Sequence, residues 1–432
     1  MPLSKYCINY PSPEDPDSRI LFLTKNCAKA LVPSSLLSAI EEQSISEASR
    51  TALQRPGFIV GDIALEQEEM VRFADRLNSL SRVFYAKVVM NLDCNLACTY
   101  CFEGARKGKL YMSLETADLF VEFVLGRLTP NKNEISLTFY GGEPLLSSDL
   151  ICHISERLKT IAEAKGLIFG FSLITNGTLL TLSIVDRLKP LGLRKASVTL
   201  DGPGETHNRY RPFVSGGGSF NAIARNLRTV CDNMQIQIGG NYTRENFHEF
   251  PRLLDYLLEN GLTPDRIADI RFDPVTAESE EFALPDFREA CLSLDEPWLT
   301  EASIYLREEI LKRGYRTSRI VPVTCMMEQK DSLIVNYNGD IYKCAGLIGR
   351  KEFCAGNISK GITDYRTTHN LDNWKNKECL DCAYLPLCFG GCRYMKFVRD
   401  GNMDGVDCKK PYLDATLEAM VKQDIKYGLT SS

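Results

Sequence analysis

The chain has 432 residues, 44% of them hydrophobic and 25% charged, the make-up of a soluble globular protein of two or three domains. Lys and Arg number 51 against 56 Asp and Glu, a formal net charge of −5 that argues against a nucleic-acid binder. No apolar run reaches the ~20 residues of a membrane span and the first residues carry no signal-peptide core, so a cytoplasmic protein without membrane attachment is expected.

Residues 1–82 read as a small mixed domain. A strand is expected at 20–24, short amphipathic helices at 35–43 and 46–54 with serines as N-caps, a strand at 57–61, and a helix at 66–80. From residue 84 strands and helices alternate. The strands are placed at 84–92, 134–140, 168–175, 194–200, 235–242 and 267–272, with amphipathic stretches such as 114–128 and 149–165 between them. Strands separated by helices imply parallel pairing with right-handed crossovers. Six units fall short of a closed eightfold barrel, so an α/β fold with an open, partial (β/α)6 barrel is expected over 83–284. Motif residues follow the strands: Cys94, Gly141-Gly142-Glu143, Thr175-Asn176-Gly177 and Asp201-Gly202-Pro203. In α/β barrels that rim carries the chemistry. A helical connector is expected over 285–324, and then a Cys-rich domain over 325–432 with a hairpin at 333–343, its Asn338-Gly339 read as a type I′ turn.

Cysteine is the anomaly, with 16 in the chain and eight of them between Cys325 and Cys408. In a reducing compartment, clustered cysteines at short spacings serve as metal or iron–sulfur ligands more often than as disulfides. Cys94, Cys98 and Cys101, spaced C-x3-C-x2-C after the first barrel strand, bring three thiols and no fourth. Three thiolates can hold three irons of a cubane and leave one iron open, whereas structural zinc is closed by four ligands.

The triplet, with Tyr100 before its last cysteine and Tyr140-Gly141-Gly142-Glu143-Pro144 after the second strand, resembles the radical S-adenosylmethionine (SAM) enzymes. The resemblance implies that the open iron chelates SAM, whose reductive cleavage yields a 5′-deoxyadenosyl radical that abstracts hydrogen from substrate. Paired glycines at 141 and 142 would let backbone approach the ligand, and Glu143 would accept a hydrogen bond from the SAM ammonium. The segment from Thr199-Leu200-Asp201-Gly202-Pro203 to Arg211 resembles the motif of the peptide-modifying subgroup, which puts Thr199 and Arg211 on SAM and leaves His207 a structural hydrogen bond.

The later array, Cys325-x13-Gly339-x4-Cys344, Cys379-x2-Cys382-x5-Cys388-x3-Cys392 and Cys408, resembles the SPASM extension of these enzymes, a carrier of two auxiliary 4Fe–4S clusters. By that resemblance Cys379, Cys382, Cys388 and Cys408 hold the second auxiliary cluster, and Cys325, Cys344 and Cys392 the first. The fourth position of the first is left to Asp331, to Cys354, or to an open iron that takes a substrate thiolate; the open iron is favoured. Cys7, Cys27, Cys152, Cys231 and Cys291 read as buried bystanders.

Over its length the chain is most similar to the geopeptide maturases. That implies three 4Fe–4S clusters with SAM, a ribosomally made precursor peptide docked by strand addition on a winged-helix-like domain at 1–82, and an external donor such as flavodoxin or ferredoxin. The reaction it implies is a thioether crosslink from a substrate Cys; carbon–carbon crosslinking or another radical oxidation of the peptide is the rival. Formylglycine formation is disfavoured, because Ala345 stands where sulfatase maturases carry an Asp. A plain iron–sulfur electron carrier would have no use for an open iron beside Gly142 and Glu143.

Overall fold

The structure, a computed structural model, describes residues 1–278 and 287–429. The chain opens with an antiparallel sheet, β1 (Cys7–Pro11), β2 (Ser18–Leu23) and β3 (Ala28–Pro33), in that order. Leu21, Phe22 and Leu23 of β2 are all fully buried, so the central strand is covered on both faces. Helices Ser34–Glu41, Glu47–Gln54, Ile63–Val71 and Phe73–Leu80 follow. Ser46 caps the second by accepting from the Ser49 amide at 3.2 Å, as expected. Ser35 caps nothing; the position before the first helix is Pro33, which has no side chain to donate or accept. The single helix expected at 66–80 breaks at Arg72, and the strand expected at 57–61 reduces to one bridge between Leu3 and Ile59.

Six parallel strands then form side by side: β4 (Val83–Val89), β5 (Glu134–Tyr140), β6 (Ile168–Thr175), β7 (Leu193–Thr199), β8 (Gln235–Tyr242) and β9 (Asp269–Pro274). Helices such as Leu114–Arg127 and Ser148–Ala164 connect them. Alternation explains their two faces. Ile135, Leu137 and Phe139 are fully buried in the main core, while Tyr85, Thr138 and Ser172 on the other face are joined by hydroxyl contacts of 3.1 and 2.9 Å.

The sheet does not stop at β4. Strand β10 (Ser332–Val335) pairs parallel with β4, and β11 (Asp340–Tyr342), β12 (Gly356–Asn357) and β13 (Gly361–Ile362) continue antiparallel, giving one mixed sheet of ten strands. The expected hairpin is present, but its turn differs. The Gly339 amide donates to Asn336 O at 2.8 Å and only Gly339 has a positive φ, +85°, so the loop is not a type I′ turn, which needs positive φ at both central residues. Of the connector expected at 285–324, Pro285 and Asp286 lie outside the described residues; the rest contains helix Pro297–Lys312.

The N-terminal sheet and helices are not a free appendage. Their core, with Tyr6, Leu21, Leu23 and Phe58, includes Trp374, Leu385 and Phe389 from the far end of the chain. Phe73 stacks on Phe389 with ring centres 5.3 Å apart, and the Thr24 hydroxyl donates to Ala383 O at 2.6 Å. Among the described residues no helix is long and apolar enough to cross a membrane.

Candidate functional site

A cavity of about 320 Å³ opens at the C-terminal ends of the parallel strands. Each strand delivers residues to it. The loop after β4 brings Cys94, Cys98 and Cys101, β5 ends in Gly141 and Gly142, β6 in Thr175 and Asn176, β7 in Thr199, and β8 and β9 contribute Asn241 and Val275. Tyr100 and Arg211 also line it. The sequence motifs thus converge in space on one wall.

The thiol loop is held by the segment around Arg211: the Ala97 amide donates to Pro212 O at 2.8 Å and the Thr99 amide to Tyr210 O at 2.9 Å. At the Cys94 sulfur two donors already wait, the Leu96 amide at 3.4 Å and the Asn176 side-chain amide at 3.7 Å. Burial is the largest influence on Cys94 and Cys98 and raises both thiols, Cys98 to about 11 despite the nearby Arg211 charge. Such thiols stay protonated until a metal takes the proton's place.

Gly141 and Gly142 are required for a reason different from the one expected. A Cβ at Gly142 would lie 2.1 Å from Asp93 O, and one at Gly141, with φ +144°, 2.3 Å from Asn91 O. The glycines therefore let β5 pass directly under the chain that leads into the Cys94 loop. Glu143 likewise departs from expectation. Its carboxylate takes hydrogen bonds from the Leu145 amide (3.0 Å), the Thr175 hydroxyl (2.8 Å) and the Asn176 amide (2.8 Å), and it is fully buried outside the cavity wall. It ties the end of β5 to the end of β6, with two donors on Oε1 and one on Oε2.

Asp201, fully buried, binds the Tyr100 hydroxyl and accepts the Asn241 amide at 2.7 Å, while Arg211 donates to the Tyr100 oxygen at 2.8 Å. Burial raises the Asp201 carboxyl, opposed by Arg211 and Tyr100. Tyr100 is thereby held between a carboxylate and a guanidinium. The His207 ring accepts from the Asp201 amide at 3.1 Å and meets Ser219 Oγ at 3.0 Å, the structural hydrogen bonding expected of it. Asn176, Asn241, Thr175 and Glu103 were not singled out as cavity residues from the sequence; only Thr175 and Asn176 carried a signal, as part of the motif after the third strand.

A second cavity, about 390 Å³, is lined by Cys379, Cys382, Cys388 and Cys408 together. Cys325, Cys344 and Cys392 form a third group: Cys344 is pushed up to about 12 by burial and then by Cys392 and Cys325, and Cys392 is raised by burial and by Cys325. Cys325 and Cys344 pack among Val89, Ile334 and Tyr342. Of the two residues considered for a fourth position there, Asp331 is held by Lys132 at 2.6 Å and Arg127 at 3.5 Å, and the Cys354 thiol donates to Gly356 O at 3.1 Å. Among the described residues no three His, Cys, Asp or Glu side chains meet at a single-ion site. The thiols surround their cavities, as suits a cubane whose ligands each bind a different iron.

Residues 88–257 match the Radical SAM superfamily. The cysteine-type anaerobic sulfatase-maturating enzyme of Clostridium novyi is 25% identical over 356 residues, 73% of this chain and 90% of that protein. Native anSMEcpe with bound AdoMet and Kp18Cys peptide shares the fold with a TM-score of 0.63 at 20% identity, covering 79% of this chain and 97% of the other. SuiB of Streptococcus suis, bound to precursor peptide SuiA, does so with a TM-score of 0.55 at 15% identity, covering 94% of this chain and 98% of the other. That coverage leaves 6% of 432 residues (100 − 94), about 26, outside the likeness, fewer than the 82 assigned to the N-terminal region, so the shared fold reaches into that region. The stretch that matches, residues 88–257, holds the thiol triplet, the glycine pair and Arg211, which line the same cavity at the strand ends.

Proposed function

We propose that this protein is a peptide-modifying radical SAM enzyme that forms a thioether from a Cys sulfur of a ribosomally made peptide. The observation that carries the reading is the cavity where Cys94, Cys98 and Cys101 face Gly141, Gly142, Thr199 and Arg211. When bound there, a 4Fe–4S cluster with SAM supplies one-electron reductive cleavage and hydrogen-atom abstraction. The chain's own part is to hold and orient. Cys94, Cys98 and Cys101 would ligate the cluster, with Asn176 and the Leu96 amide donating to the Cys94 sulfur. Tyr100, Thr199 and Arg211 would orient the nucleoside end of SAM, and the backbone of Gly141 and Gly142 its amino-acid end. Glu143 acts one step back, by fixing the ends of β5 and β6.

Cys379, Cys382, Cys388 and Cys408 would hold one auxiliary cluster, and Cys325, Cys344 and Cys392 another with an iron open to the substrate thiolate. The ion pairs at Asp331 favour the open position, since ligation by that carboxylate would strip Lys132 and Arg127 of their partner. Ala345 places no carboxylate beside Cys344, which favours thioether formation over formylglycine.

Docking is proposed on β3, an edge strand beside a groove of about 740 Å³ lined by Leu31, Val32, Leu36, Leu53 and Phe58. Leu31 is 62% exposed there, and an extended peptide would add to the strand edge and cover it. The test is anaerobic reconstitution followed by assay of SAM cleavage under reduction. 5′-Deoxyadenosine should form, and a Cys-containing precursor should lose two hydrogens without gaining oxygen. Fully loaded protein that releases no 5′-deoxyadenosine would sink the reading.

A further inference from the structure

Glu103 lies two residues beyond Cys101, is 2% exposed, and forms part of the wall of the thiol cavity. Neither of its carboxylate oxygens receives a hydrogen bond. The contrast with its neighbours is sharp: Glu143 takes three such bonds and Asp201 takes Tyr100 and Asn241. Buried acceptors are nearly always satisfied, and one left unmet costs free energy.

The surroundings supply charge and a single nearby hydroxyl. Arg106 and Lys107 are near enough to stabilise the carboxylate, and Glu278 near enough to oppose them. Yet the Arg106 guanidinium is directed to Phe102 O, Ile348 O and Glu278, and the Lys107 ammonium to Leu96 O. The Tyr140 hydroxyl is the one donor close to Glu103, and it can serve only one of the two carboxylate oxygens, leaving the other for a ligand. Charge is compensated and hydrogen bonding is incomplete, so the site calls for a neutral donor rather than a cation. A peptide drawn into the cavity has the complementary need, because its amide N–H groups lose water and require acceptors.

We propose that Glu103 is a substrate-binding residue, its carboxylate accepting a backbone N–H of a peptide segment in the thiol cavity. This rests on the peptide-modifying reading above. The carboxylate would fix the depth of the peptide relative to the Cys94, Cys98 and Cys101 wall.

The experiment compares reconstituted, SAM-loaded parent with Glu103→Met, of similar size without an acceptor, and Glu103→Gln, which keeps a carbonyl oxygen. In the absence of peptide, Glu103→Met should raise the thermal midpoint by about 1–3 °C, because an unmet buried acceptor is gone. A lowered midpoint marks a structural strut and overturns the proposal. SAM affinity should stay within about twofold of the parent; a loss of about tenfold assigns Glu103 to the cofactor and also overturns it.

The peptide probe is a mixed pool of acetylated heptapeptides with a central Cys, set against the same pool N-methylated at every amide. The parent should retain the free-amide pool in preference. Glu103→Met should bind it about tenfold more weakly and Glu103→Gln about threefold or less. Equal binding by parent and Glu103→Met refutes the role of Glu103 and leaves the peptide reading standing. A parent that retains neither pool, with Glu103→Met stabilised, refutes the peptide as the donor and strikes the peptide reading itself.

Discussion

Two thiol-bearing regions of this molecule rest on different supports. The Cys94 loop stands on its own sheet. Asn91 binds Glu143 O and Ser147, the glycine pair runs beneath Asp93, and Glu143 joins adjacent strand ends, all within the parallel array. The Cys379–Cys388 stretch leans instead on the N-terminal sheet and helices, on residues more than 300 positions away. Lys5 pairs with Asp381 at 2.6 Å, Gln67 donates to Leu380 O at 3.0 Å, Thr24 to Ala383 O at 2.6 Å, and Phe73 stacks on Phe389. Cys379 itself packs against the N-terminal core. The difference teaches that the N-terminal region does two jobs at once. It carries the edge strand proposed for docking, and it is the wall against which one thiol site is formed.

The strongest way to test this contrast is to empty the barrel site. Replacing Cys94, Cys98 and Cys101 together by Ala should remove about four of about twelve irons and abolish 5′-deoxyadenosine formation, with both C-terminal sites still loaded. Iron analysis and Mössbauer spectroscopy read this directly, and retained SAM cleavage would refute the ligand assignment. Removing residues 1–80 should do the converse. Trp374, Leu385 and Phe389 lose their core partners, so about four irons should be missing from the Cys379 site while the barrel site keeps its own. A shortened chain with full iron would show that the C-terminal loop holds itself, and the contrast would collapse. The smallest effect separates the apolar from the ionic part of that contact. Phe73→Ala should lower stability by about 2 kcal/mol through lost packing and ring stacking. Lys5→Ala should cost less than about 1 kcal/mol, since Asp381 is 44% exposed and the pair is screened. Denaturant titrations of the two variants that came out in the opposite order would make the contact electrostatic.

How legible all this was in the sequence follows from where each contact lies. The six parallel strands could be read because each is an apolar stretch that ends in a motif residue, and three of them, β5, β6 and β8, begin and end where expected. In the N-terminal region the signals were weaker: β1 and β3 are short, carry Asn, Lys and Pro, and were missed. The break at Arg72 was hidden because apolar spacing continues through it into Phe73 and Leu77. The grouping of the later thiols came from the family resemblance, and the structure puts the members of each group near one another. Local pattern could not tell which carboxylate would bind its neighbours: Glu143 accepts from two backbone amides and a hydroxyl, while Glu103, just past the thiol triplet, lines the cavity. That distinction depends on partners contributed by other strands, and no local pattern encodes it.

The parallel pairing of β10 with β4 sets an order on the making of the molecule. Strand β4 ends at residue 89 and its partner begins at residue 332, 243 positions later (332 − 89). At synthesis rates of about 5–20 residues per second, the outer edge of β4 spends on the order of 12–50 s as an open strand edge, a template for wrong pairing. The N-terminal core waits longer still, for Trp374, Leu385 and Phe389. The Cys94 loop is therefore made well before the C-terminal thiols exist, and the nascent chain presents its first thiol cluster while both its neighbouring strand edge and its N-terminal core still await their partners.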